Sequence, residues 1–140
     1  MSRIAIHGFG RIGRTLQRIA LQRSLFTPVA ISDIRDTASF AALFAVDTNY
    51  GRWPEPVSAT ADGLLVGGRS IPYFNAEKAL PPWGDLGVDL VVDCTGRATV
   101  RAGAQAHLDR GAKRVLVSAP SKSKADCDAF LLPCINAETY

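Results

Sequence analysis

The apolar run Ile4-Ala5-Ile6 leads through His7 into Gly8-x-Gly10-x-x-Gly13, and an amphipathic stretch follows at once. Few chain geometries accept that succession. A short apolar run suits a strand buried in a parallel sheet. Apolar residues at Ile12, Leu16, Ile19 and Ala20 predict one face of a helix over roughly residues 11–22. Gly8 permits the tight turn out of the strand, Gly10 lets the backbone approach a pyrophosphate, and Gly13 lets helix and strand pack closely. The helix then aims free N–H groups and a partial positive charge at whatever lies before the turn. The glycine spacing alone also marks ordinary loops. The strand before it and the helix after it make it a dinucleotide-binding fingerprint.

That fingerprint asks for an acid at the end of the next strand. Val29-Ala30-Ile31-Ser32 reads as that strand, and Asp33 ends it, 20 residues beyond Gly13. A carboxylate there accepts hydrogen bonds from both hydroxyls of an adenosine ribose and repels a 2′-phosphate, which favours NAD over NADP. Two other readings stand beside it: a solvated acid at a strand end, or a cap for the helix beginning near Thr37. Asp36 is better placed for that cap. Arg35 keeps NADP open, because a nearby guanidinium pairs with phosphate.

Strand and helix patterns alternate along the rest of the chain. This predicts the α/β class, a Rossmann-type doubly wound, mostly parallel sheet with helices on both faces. A helix over Thr37–Ala45 is apolar at Phe40, Leu43 and Phe44. Turn signals at Ala61-Asp62-Gly63 and Gly67-Gly68 separate short runs at Val57–Thr60, Leu64–Val66 and Ser70–Phe74. They predict a small antiparallel meander inserted near residues 57–74, with Pro72 making its last strand an edge. Leu90–Cys94 reads as a buried strand entering the turn Thr95-Gly96. The next helix carries Val100, Ala104, His107 and Leu108 on one face and stops at Gly111. Val115-Leu116-Val117 is a further parallel strand, and Phe130-Leu131-Leu132 begins the last. Residues 1–140 read as one domain without repeats or linkers. In such a sheet, ligands bind beyond the carboxyl ends of strands where the winding reverses. Gly8 to Gly13, Asp33, Thr95-Gly96 and Ser118 all fall at such ends.

Apolar content of 47% and charged content of 21% belong to an ordinary globular protein. The net charge is a mild +3, and the basic residues are scattered without interleaved aromatics, so no nucleic-acid surface is indicated. Cys94, Cys127 and Cys134 are an odd set without paired spacing, and His7 and His107 give no metal-ligand spacing. Neither a disulfide framework nor a metal is expected. The sequence carries no apolar stretch long enough to cross a bilayer and no secretory leader pattern, which predicts a cytoplasmic setting without a membrane partner. His7, beside the first glycine, reads either as a titrating contact to a phosphate or as a side chain bonded to local backbone, the commoner arrangement. His107 reads as structural or partly exposed.

Several longer segments carry more than the glycine spacing. They are Gly8-Phe9-Gly10-Arg11-Ile12-Gly13-Arg14, Asp47-Thr48-Asn49-Tyr50-Gly51-Arg52-Trp53, and Leu80-Pro81-Pro82-Trp83 with Gly87-Val88-Asp89. Cys94-Thr95-Gly96 and Gly111-Ala112-Lys113-Arg114-Val115 follow, ending in Ser118-Ala119-Pro120-Ser121. In this order, over essentially all 140 residues, they resemble the phosphorylating glyceraldehyde-3-phosphate dehydrogenase family and its relative, erythrose-4-phosphate dehydrogenase. The chain departs from that pattern at His7, where an asparagine is usual, at Tyr50, where a histidine is usual, and at Pro133, in the strand expected before Asn136. The family's catalytic cysteine, in a Ser-Cys-Thr-Thr-Asn segment, lies downstream of the position of Tyr140.

The resemblance implies an NAD-binding half whose catalytic domain is absent from this chain. Its expected partners are NAD and, in the complete enzyme, a small phosphorylated aldehyde and a tetrameric assembly. It implies cofactor-binding roles for Gly8, Phe9, Gly10, Arg11, Ile12, Gly13, Asp33, Lys78, Thr95, Gly96 and Ser118. Arg11 and Ile12 would offer backbone N–H groups to the pyrophosphate, Lys78 would lie near the adenine, and Thr95, Gly96 and Ser118 would line the path to the nicotinamide. Simpler roles compete: an exposed helix start for Arg11, and turn chemistry for Thr95 and Ser118. Such enzymes attack the aldehyde with a cysteine thiolate and pass hydride to NAD. None of the three cysteines here has the required flanking sequence, so no catalytic residue is expected among them. A stand-alone dinucleotide-binding or sensing module, and a non-enzymatic interaction protein, are the alternatives. Within the enzyme reading, Ser118-Ala119-Pro120-Ser121 leans towards the triose substrate.

Overall fold

The apolar run at the start forms strand β1, Ile4–His7, and the rest of the sheet is laid down around it. The computed structural model describes residues 2–139. After β1 come α1 (Arg11–Gln22), β2 (Ala30–Asp33), α2 (Thr37–Ala45), β3 (Val46–Asp47) and β4 (Gly51–Arg52). Then follow β5 (Val57–Ala59), β6 (Gly63–Val66), β7 (Arg69–Asn75), β8 (Leu90–Asp93), α3 (Arg101–Asp109) and β9 (Arg114–Val117). A seven-stranded sheet runs in the order β5-β6-β7-β2-β1-β8-β9, and β3 and β4 make a separate antiparallel pair. β1 lies parallel to β2 on one side and to β8 on the other. The winding reverses between β1 and β8, which is where such sheets hold ligands.

The two faces pack differently. Ile6, Ile31, Leu64 and Ile71 meet Phe9, Phe40, Phe44 and Trp53 on the face covered by α1 and α2. Phe9 stands edge-on to Phe40 with ring centroids 5.4 Å apart and stacks near Phe44 at 6.1 Å. Ala5, Ala30 and Val91, one residue out of phase along the same strands, meet Trp83, Val88 and Ala112 on the other face. Arg18 threads the first face: its guanidinium lies over the Phe44 and Trp53 rings and donates to Phe44 O and Gly51 O, tying α1 to α2 and the β3–β4 pair. Asp36 caps α2 by accepting from Ser39 N at 2.7 Å. α3 stops at Gly111, whose φ is +92°.

Four sequence expectations need correction. The buried face of α1 is Gly13, Gln17, Arg18 and Ala20, while Ile12 and Ile19 are exposed. Gly13 must pass against the turn, and that contact sets the helix phase one residue away from the apolar stripe. In α2, Leu43 is exposed and only Phe40, Ala41 and Phe44 are buried. Pro72 does not make β7 an edge. Arg69–Pro72 pairs antiparallel with β6, and Tyr73–Asn75 pairs parallel with β2, so the proline sits where the strand changes partner. Phe130-Leu131-Leu132 is not a strand. Asn136 closes this segment into a turn, its Oδ1 accepting from Leu132 N and its Nδ2 donating to Phe130 O, both at 2.7 Å. Pro133 adds no N–H donor for a ladder, and Cys134 has φ +63°, outside extended geometry. The β3–β4 pair was not anticipated; Asp47 Oδ1 builds its turn by accepting from Asn49 N and Tyr50 N.

A Cβ at Gly13 would stand 2.2 Å from Gly8 O, a backbone atom that cannot move aside. Gly13→Ala is expected to destabilise the fold by about 2–4 kcal/mol despite the better helix propensity of alanine. Chemical denaturation of the variant checks this; a neutral or stabilising effect would contradict the packing described.

Candidate functional site

The turn between β1 and α1 is full on its protein side and open on the other. Gly8 has φ +87° and donates its N–H to Ser32 O at 2.8 Å. A Cβ on it would stand 2.7 Å from Thr95 N. At Gly10 a Cβ meets nothing within 4 Å, so this backbone borders open space. Gly10 is also the N-cap of α1, with no side chain bonded to the first-turn N–H groups and no acid in that turn. Arg11 and Ile12 begin the helix and are exposed. Uncapped N–H groups at a helix start, beside clear backbone, suit an anion. Phe9 is fully buried, so its ring serves the core and only its backbone serves the site.

That backbone reaches the acid. Phe9 N donates to Asp33 Oδ2 and Ile34 N donates to Asp33 Oδ1, each at 2.6 Å. Two N–H donors orient the carboxylate at the end of β2, next to the glycine turn. Tyr73 Oη bonds Asp33 O and Arg35 O, and burial pushes its phenol pKa up, so it remains a donor. Arg35 is exposed. Lys78 is exposed as well, in the segment after β7, whose Asn75 is the register partner of Asp33.

Across the reversal point, Thr95 N and Oγ1 donate to Asp93 Oδ1 at 2.8 and 2.6 Å, and Thr95 Oγ1 accepts from Arg97 N at 3.1 Å. The threonine hydroxyl is thus engaged in its own turn. Gly96 follows, exposed, with φ +71°. Ser118 N donates to Asp93 O at 2.9 Å, and the Ser118 hydroxyl bonds the Cys94 thiol. Burial pushes the Cys94 thiol up and outweighs that bond. The glycine turn, Asp33 and Thr95 therefore meet in one place, and Ser118 adjoins them through Asp93 and Cys94, while Lys78, among the described residues, bonds none of them.

Beneath these strand ends lies a network that sequence reading missed. Ser32, His7 and Asp93 are register partners across β2, β1 and β8 and form a polar row at the carboxyl end of the sheet. His107 is buried above it, not partly exposed, with Nε2 3.2 Å from Asp93 Oδ2. Trp83 Nε1 donates to His107 Nδ1 at 3.1 Å. An indole N–H only donates, so Nδ1 is unprotonated and Nε2–H points at Asp93. His7 bonds the side chain of Ser32, Nδ1 to Oγ at 2.7 Å, and not local backbone. The signal for the network was the acid closing the apolar run Leu90-Val91-Val92.

Burial lowers the His7 pKa, reinforced by His107 and opposed by Asp93 and Asp33. Burial pushes the Asp93 carboxyl up, but the bonds from His107 and Thr95 outweigh it and hold the carboxyl below its ordinary value. Ligand atoms of His7, Asp93 and His107 lie within 4.8 Å of one another. They do not suit a metal: Trp83 forces the proton of His107 onto Nε2, the atom a metal would need.

Both shifts have the same sign for stability. With each native pKa below its unfolded value, the unfolded chain takes up the proton first, and stability is lost as pH falls. Thermal melts are expected to show one loss below about pH 6.5, removed by His7→Asn, and a second below about pH 4, removed by Asp93→Asn. Asp93→Asn should also cost about 3–5 kcal/mol at neutral pH, as for one partner of a buried ionic network. A flat profile between those values in the parent chain would contradict the assignment.

No helix among the described residues is long and apolar enough to cross a membrane. A family profile described as glyceraldehyde 3-phosphate dehydrogenase, NAD binding domain, matches residues 2–101. A glyceraldehyde-3-phosphate dehydrogenase of Kitasatospora aureofaciens is 46% identical over 142 aligned residues, covering 100% of this chain and 42% of that protein. The enzyme of Chlamydia pneumoniae is 42% identical, with 99% of this chain and 41% of the relative covered. Glyceraldehyde-3-phosphate dehydrogenase 1 of Kluyveromyces lactis is 44% identical over 88% of this chain and 38% of its own length. The chain thus spans about two fifths of the length of the curated relatives it matches. With the fingerprint, the reversal point and the acid in register, the chain belongs to the NAD-binding domain family of glyceraldehyde-3-phosphate dehydrogenase.

Proposed function

We propose that this chain holds NAD across the carboxyl ends of β2, β1, β8 and β9 for a phosphorylating glyceraldehyde-3-phosphate dehydrogenase. The observation that carries the reading is the joint presence of an uncapped α1 start, open backbone at Gly10 and the Asp33 carboxylate bonded to Phe9 N. The N–H groups of Gly10, Arg11 and Ile12 hold the pyrophosphate, with Gly8 and Gly13 giving the turn its shape. Asp33 accepts the adenosine ribose hydroxyls and disfavours a 2′-phosphate. Lys78 lies towards the adenine, and Thr95, Gly96 and Ser118 border the nicotinamide. NAD, when bound, supplies the hydride acceptor.

In this reading the aldehyde chemistry falls to a catalytic domain and not to the cysteines of this chain. Cys94 is the cysteine nearest the cleft, and burial keeps its thiol protonated and inert. Cys127 and Cys134 lie in the segments after β9. A small phosphorylated aldehyde as substrate, a tetrameric assembly and a cytoplasmic setting complete the proposal.

Titration calorimetry with NAD and NADP tests it. The chain is expected to bind NAD weakly and in preference to NADP. Asp33→Ala should narrow that preference, since a hydrogen bond to a charged group is worth about 1.5–3 kcal/mol before ordering costs. Equal or tighter NADP binding would move recognition from Asp33 to Arg35.

A second outcome follows for catalysis. With saturating NAD, phosphate and glyceraldehyde 3-phosphate, the chain by itself is expected to form no NADH above background. Turnover that disappears in Cys94→Ser would instead make Cys94 the nucleophile.

A further inference from the structure

His7 joins the buried polar network to the open front of the glycine turn. It ends β1, one residue before Gly8, and is half-buried. Ser32 Oγ holds its Nδ1 at 2.7 Å, and its ring stands edge-on to His107 with centroids 4.8 Å apart. Among the described residues Nε2 has no hydrogen-bond partner, and it is not an enclosed polar atom, so it keeps some contact with solvent.

The titratable groups acting on this ring are His107 from α3, Asp93 from β8 and Asp33 from β2. Each is already committed. His107 accepts from Trp83 at Nδ1 and donates to Asp93 from Nε2, so both its ring nitrogens are engaged away from His7. Asp93 also receives both donors of Thr95. Asp33 is bonded by Phe9 N and Ile34 N. Asp93 and Asp33 favour an imidazolium at His7, but burial and His107 outweigh them. An anion seated at the uncapped start of α1, a few residues along the chain, adds the negative charge that tips this balance.

We propose that His7 is a phosphate-facing contact of the bound dinucleotide and takes up a proton as that ligand enters. The inference rests on the NAD-binding reading above. Ser32 fixes the ring from Nδ1 and leaves Nε2 to face the ligand, so the contact needs no rearrangement. Because burial and His107 keep the free ring neutral at pH 7, binding and protonation are coupled and each favours the other. Affinity then rises as pH falls, by ~10-fold for each unit by which the ligand displaces the titration of the ring.

The experiment is calorimetric titration of the chain with NAD at about pH 5.5 and about pH 7.5, on either side of the free imidazole value. Each is run in two buffers of unlike ionisation enthalpy, on the parent chain and on His7→Asn. The expected result is several-fold tighter binding at the lower pH, with proton uptake read from the buffer difference, and neither effect in His7→Asn. The NMR titration of the His7 ring protons, with and without NAD, gives a reading that needs no variant: the midpoint is expected to move upwards. Binding without proton uptake, a midpoint that stays or falls, or a pH dependence unchanged in His7→Asn would each overturn the role of His7 while leaving the dinucleotide site intact. Absence of NAD binding at both pH values would overturn the dinucleotide reading, and this inference with it.

Discussion

The crossing of α1 over the first turn constrains everything above it. A Cβ at Gly13 would stand 2.2 Å from Gly8 O, and one at Gly8 would stand 2.7 Å from Thr95 N. The end of β1, the start of α1 and, from far along the chain, the turn after β8 thus share a space in which side chains do not fit. This close approach brings the start of α1, the end of β1 and the turn after β8 to one point. It also fixes the rotation of α1, so Gln17 and Ala20 face the sheet and Ile12 and Ile19 face outward. Placing polar Gln17 and Arg18 inside is the consequence. Arg18 Nη2 donates to two carbonyls and its guanidinium lies over two aromatic faces, while Nε is buried without a partner among the described residues; a guanidinium is less costly to bury in this way than an ammonium.

The opposite face of the same strands solves a different problem. Where β2, β1 and β8 end, the apolar core gives way to Ser32, His7 and Asp93 in one row. Buried polar groups are tolerated when their bonds are satisfied. Here an indole donor forces one tautomer on His107, His107 orients Asp93, and Asp93 fixes the Thr95 turn. The chain of bonds runs from the core residue Trp83 to the lip of the cleft. Rigidity at the lip therefore derives from the core and not from the loop itself.

Legibility followed which atoms do the work. The glycine turn, Asp33 and the alternation of strands and helices were readable because they follow from backbone requirements with fixed spacing: only glycine fits the turn, and the residue that ends β2 comes to lie beside it. Asp36 as the cap of α2 and Gly111 as the stop of α3 were readable for the same local reason. The phase of α1 was not, because a long-range contact at Gly13 overrode the apolar stripe. Pro72 misled because a strand can change partners at the residue that lacks a donor. The segment Phe130–Leu132 has strand composition, yet Asn136 and the backbone of Cys134 turn it back. The polar row was not legible because Ser32, His7 and Asp93 are far apart in sequence and meet only through sheet register, with His107 brought to them by the packing of α3.

This division bears on where variation can enter such a domain. Positions set by the crossing admit little change, since each alternative side chain meets backbone. The polar row is different: its members must satisfy one another, but several combinations of donors and acceptors do so. His7 and Ser32 form one such combination, with the imidazole supplying through Nδ1 a single bond to the hydroxyl. An amide at the same place would meet the same hydroxyl and remain neutral at every pH. The imidazole places a titratable ring, its pKa lowered by burial, at the end of β1. The backbone cradle thus determines what class of ligand the cleft accepts, and the row beneath it determines how that acceptance responds to protons.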